Sequence, residues 1–119
     1  MRARFTLPQT ADPRILQGLD SLKEGLEYVV LEVFAQYEKG VQFRVEVVGE
    51  DSALFNSRAF VVTSHSLPPT WKYFQFETGS FALRPESWNQ LGFWESYYDR
   101  EPKAVEIYEA EKRKILSAS

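Results

Sequence analysis

The chain has 119 residues, 44% hydrophobic and 26% charged, with a formal charge of −3. That length suits one domain spanning 1–119, able to bury a core unaided by metals or disulfides, and the absence of cysteine fits a reducing, cytoplasmic setting. No apolar run reaches the roughly 18 residues of a membrane span, and the negative balance argues against general affinity for nucleic-acid phosphates.

The N-terminal stretch MRARFTLPQTADP has two arginines but no apolar segment behind them, so it is not read as a secretion signal. Within it, Ala3, Phe5 and Leu7 alternate with Arg4 and Thr6, the period of a short half-buried strand ended by Pro8. Asp12-Pro13 is a helix start, an N-cap followed by a first-turn proline. Ile15, Leu19, Leu22 and Leu26 then recur at helical spacing, predicting a helix over residues 13–25 with Gly25 as its stop.

Two β-branched runs follow. Val29, Leu31, Val33 and Ala35 share one parity, and Val41, Phe43, Val45 and Val47 alternate with Gln42, Arg44 and Glu46. Placed around Glu38-Lys39-Gly40, they predict an antiparallel hairpin. SRAFVVTS supplies a third strand and, past Pro68-Pro69, TWKYFQFET a fourth; Thr78-Gly79-Ser80 turns the chain into a short extra strand at FAL. Pro85 opens a predicted helix over residues 85–98, and Pro102 a second to residue 116, with Ala104, Val105, Tyr108, Lys112, Ile115 and Leu116 on one stripe. The basic triplet Lys112-Arg113-Lys114 suits the negative end of that helix. The expected class is α+β: an antiparallel sheet of four to six strands, one N-terminal and two C-terminal helices, the helices mainly on one face.

Aromatic residues crowd the stretch between Trp71 and Tyr98. On a continuous helix at about 100° per residue, Trp88, Leu91, Trp94 and Tyr98 form one stripe, while Phe93 and Tyr97 point elsewhere. A surface helix hides little more than about 100° of its circumference, so the second side needs its own cover. Either the C-terminal helix folds back over Phe93 and Tyr97 through the short DREP connection, or a partner protein covers part of it, since Trp and Tyr dominate interface hot spots. From Glu86 to Glu111, seven acids stand against two bases, Arg100 and Lys103, a local balance of −5. Charge of one sign steers an oppositely charged partner. Phe93, Trp94, Glu95, Tyr97, Tyr98, Asp99 and Glu101 are therefore the candidate partner-binding residues. Glu95, beside the Trp88–Leu91 edge, is expected at the rim or against Arg44, Arg58 or Arg84.

Signals for chemistry are sparse. His65 is the one histidine, and on a strand its neighbours Ser64 and Ser66 point to the face opposite its own rather than converging with it as a triad does. With no cysteine and no Asp-rich loop of calcium-binding spacing, no metal is expected. Glu46, Glu77 and Glu95 show no spacing that pairs them for glycoside chemistry. Gly40, Gly49 and Gly79 are single turn glycines rather than a phosphate loop, and no cofactor is expected.

The favoured expectation is thus a non-catalytic protein-binding domain: a small acidic inhibitor, of the immunity-protein kind, that occludes the active site of a basic toxin or enzyme acting on nucleic acid. Two alternatives stand beside it. One is a small-ligand domain or enzyme with a pocket lined by Trp71, Tyr73 and Phe76; the other is an adaptor or a self-associating subunit.

Overall fold

The fold is α+β, built among the described residues from two antiparallel sheets and three α-helices. The computed structural model describes residues 1–47, 49 and 51–119. Strands β1 (Arg2–Phe5), β2 (Glu27–Val29) and β6 (Phe60–Ser64) make a three-stranded sheet in the order β2-β1-β6. Strands β3 (Glu32–Gln36), β4 (Gly40–Glu46), β5 (Ser52–Asn56), β7 (Trp71–Gln75) and β8 (Phe81–Pro85) make a five-stranded sheet in the order β5-β4-β3-β8-β7. The helices are α1 (Pro13–Leu16), α2 (Phe93–Tyr98) and α3 (Pro102–Ala118).

The hairpin forms at the expected turn: β3 and β4 pair in register from Glu32↔Arg44 to Gln36↔Gly40, with Glu38 (φ 71°) in the left-handed conformation of the loop. The run before it is divided. Val29 belongs to β2, and the chain changes sheets at Val30-Leu31, where the Val30 amide donates to Met1 O and the Leu31 amide to Arg44 O. The third expected strand, β6, lies beside β1 rather than in the larger sheet. The short strand expected at FAL is five residues long and lies inside the sheet, paired to β3 on one side and edge strand β7 on the other, with Ala82 wholly buried.

Both predicted helices flanking this sheet region are interrupted by glycine. Gly18 takes φ 77°, so the helix expected over 13–25 stops at Leu16 and continues as a short 3-10 turn at Leu19–Ser21. Ile15, Leu19 and Leu22 are buried as the stripe requires, whereas Leu26 is exposed. Likewise Pro85 ends β8, Glu86–Asn89 forms a 3-10 turn, and Gly92 (φ 76°) starts α2. α3 starts at Pro102 as predicted and buries Ala104, Tyr108 and Ile115.

The three-stranded sheet covers one face of the larger sheet, where Phe43 meets Phe60 with ring centroids 5.7 Å apart. The other face carries the alternate residues of the same strands, Glu32 and Arg44 among them, and α2 and α3 close over part of it. One apolar cluster runs through both sheets and the C-terminal helices, and the radius of gyration, 14.0 Å, is close to the ~13.5 Å of a compact chain this long.

Candidate functional site

Six residues make α2 too short to persist alone, so its place is fixed by what its rings and hydroxyls touch. Phe93 and Tyr97, one turn apart, face inward and are buried. The Tyr97 ring lies 4.4 Å from that of Tyr108 on α3, and Tyr108 also stacks on the fully buried Trp88 at 5.3 Å. Trp94 and Tyr98, again one turn apart, lie over the polar face of the five-stranded sheet. The tyrosine hydroxyls anchor the helix to one residue of edge strand β5: Ser52 N donates to the Tyr97 hydroxyl at 3.2 Å, and the Tyr98 hydroxyl donates to Ser52 O at 2.7 Å.

Beneath α2 sits a buried charge cluster. Glu32, 0% exposed, accepts from Arg44 Nε at 2.6 Å and lies 3.1 Å from Arg84 Nε, an approach off-line for a hydrogen bond. Arg44 donates from Nη1 to the Tyr98 hydroxyl at 2.8 Å, and its guanidinium lies 3.5 Å from the centre of the Trp94 ring. Burial pushes the Arg84 pKa down, Glu32 works against that shift, and Arg44 adds to it. On the next turn of α3, the Tyr108 hydroxyl donates to Glu46 at 2.6 Å, and Lys112 reaches the same carboxylate at 3.2 Å. Desolvation, then the hydrogen bond to Glu46, drives the Tyr108 pKa upward.

The candidate partner-binding residues therefore divide. Phe93 and Tyr97 are withdrawn into the core, a correction to their expected surface role, because α3 folds back over Tyr97 through the short turn in which Arg100 takes φ 63°. Trp94 is half-buried against Arg44. Glu95, Asp99 and Glu101 are exposed, and Tyr98 is 45% exposed while its hydroxyl stays bonded inward. Among the described residues Glu95 meets no arginine; the acid that engages Arg44 and Arg84 is Glu32. Leu91, expected on the buried stripe, is fully exposed, because the chain leaves the 3-10 turn after Asn89 and does not resume helix until Phe93.

Trp71, Tyr73 and Phe76 do not share a pocket. Trp71 is buried, with its indole Nε1 donating to Leu31 O at 3.1 Å; Tyr73 is exposed and stacks on Phe81; Phe76 packs on Phe34 on the opposite face of the sheet. Strand alternation separates Phe76 from the other two. His65 is exposed, and no group of three metal-ligating side chains occurs among the described residues. No helix among them is long and apolar enough to cross a membrane. Comparison with known proteins found no matching family model, curated protein or solved structure.

Proposed function

We propose that this chain is a non-catalytic, cytoplasmic protein-binding domain whose contact surface is the outer side of α2 and its flanking turns: Leu91, Glu95, Tyr98, Asp99 and Glu101. The observation that carries this reading is Leu91, a fully exposed leucine in the turn leading into α2, the helix that ends at half-exposed Tyr98, while Glu95, Asp99 and Glu101 have no cationic partner among the described residues. Covering a leucine side chain is worth about 1.5–3 kcal/mol, and Tyr98 adds ring area already held in one orientation by its hydroxyl bonds. Rigid aromatic area binds with little further loss of freedom. The unpaired carboxylates select a basic partner and speed its approach. The partner that fits is a basic enzyme with a cationic cleft, such as a toxin acting on nucleic acid, which the domain would neutralise by occlusion.

Co-expression with the products of adjacent genes tests this reading. The expected result is a one-to-one complex that weakens as salt is raised and loses at least about tenfold in affinity, ~1.4 kcal/mol, on Leu91→Asp or Asp99→Lys. Both positions are exposed, so circular dichroism should show both variants folded. A complex indifferent to both substitutions, or no complex with any neighbouring product, sinks the reading.

A further inference from the structure

α2 covers the row of Glu32 and Arg44 but leaves the next rows of that face open. There Phe34, Ala82 and Phe74 lie side by side in register across β3, β8 and β7, and Phe76 follows just past the end of β7. Phe34, Phe74 and Phe76 are each half-buried. Arg84 stands at the boundary between the covered and open rows. Its guanidinium carbon is 5.3 Å from the centre of the Phe34 ring and 5.4 Å from that of Phe76. Its side chain is only 7% exposed. Nε faces Glu32, whereas the terminal nitrogens have no acceptor among the described residues.

The charge count at this spot is uneven. Among the described residues Glu32 serves two guanidiniums, Arg44 and Arg84, so these three groups carry a surplus of one positive charge where solvent is largely excluded. Arg44 spends its terminal nitrogen on Tyr98 and its flat face on Trp94. Among the described residues the Arg84 terminal nitrogens have no acceptor, and the Phe34 and Phe76 rings lie beside its guanidinium.

We propose that Arg84, Phe34 and Phe76 form a binding site for a carboxylate carried on an apolar or aromatic body. A guanidinium fork matches a carboxylate with two parallel hydrogen bonds, and the ligand's body lies on the phenylalanine rings in offset or edge contact. The single surplus charge favours a monoanion. A phosphate dianion would leave the desolvated spot negative, which is costly without a further cation. The carboxylate belongs either to a small molecule or to the C-terminus of a polypeptide ending in an apolar residue. The site lies on the sheet rather than on the outer side of α2, so it stands or falls independently of that surface.

The test is a titration of isotopically labelled protein followed at the arginine Nε–H signals and the phenylalanine ring protons. The probes are 3-phenylpropionate, its uncharged counterpart 3-phenylpropan-1-ol, and a tetrapeptide ending in phenylalanine, as free acid and as amide. A saturable shift at Arg84 and Phe76 with either acid, at least about tenfold tighter than its uncharged counterpart, supports the site. Tighter binding of the peptide acid assigns the carboxylate to a chain terminus; tighter binding of phenylpropionate assigns it to a small molecule. Arg84→Lys keeps the charge and loses the fork, and Phe76→Ala removes one ring; each is expected to weaken binding by about tenfold. Absence of a shift with both acids up to about 10 mM, a range that reaches even weak millimolar affinities, overturns the proposal. So does equal binding of acid and alcohol, or undiminished binding by the folded Arg84→Lys and Phe76→Ala proteins.

Discussion

Glu32 is wholly buried and lies between the guanidiniums of Arg44 and Arg84. Replacing it by glutamine leaves two buried guanidiniums without a counter-charge, and we expect Glu32→Gln to cost about 3–5 kcal/mol, read as a lowered urea midpoint at unchanged slope. Replacing Glu32, Arg44 and Arg84 together by leucine and methionine is expected to cost less than that single change, because no unpaired charge remains; a larger loss for the triple variant would contradict this account. The sequence places both partners on the polar side of their strands, since Arg44 alternates with Val45 and Glu32 with Val33. It points to Glu95 as the acid needing an arginine, and that is where it misleads. Alternation tells which residues share a face of a sheet. It does not tell whether a helix fifty residues onward will cover that face and turn outward-pointing charges into buried ones.

At the scale of the element, glycine decides where helices begin. Gly18 and Gly92 both take positive φ, and each divides what apolar spacing alone extends into one long helix. A signal was available: glycine inside a helical pattern is costly, and both residues stand inside the expected spans. A side-chain methyl at position 92 would have open space within 4 Å, so Gly92→Ala should suffer only from the left-handed backbone; we expect a loss of about 1–2 kcal/mol, visible as a lowered Tm. A neutral result would mean that α2 does not depend on this turn. β5 was illegible for a different reason. Ser52 and Asn56 bracket only Ala53, Leu54 and Phe55, a run with no alternation. The hairpin and α3 were legible because each has a clear turn or start residue and a sustained period.

Over the whole molecule, ionisation sets a stability window. Glu27 has its pKa lowered by a hydrogen bond from Thr63 and then by Arg2, Glu86 by Lys72, and Asp12 by Arg14. Each is bound more tightly as the carboxylate in the fold than in the unfolded chain. Their contributions are present above about pH 4 and fade as pH falls through the lowered values. Tyr108 has the opposite sense: its raised pKa means that the fold favours the neutral phenol, a contribution present below about pH 10 and lost on further rise. Urea midpoints across pH should therefore show a plateau with two declining limbs. Glu27→Gln is expected to soften the acid limb and Tyr108→Phe the alkaline one; limbs unmoved by these changes would refute the assignment.

The chain passes from one sheet to the other at Val30-Leu31, with adjacent amides bonded into different sheets and both side chains buried. A join this short leaves no slack for a hinge. Peeling either layer drags its neighbour apart, so amide exchange in β1 and β4 is expected to report a single opening event, and a partner seizing one layer would stiffen both.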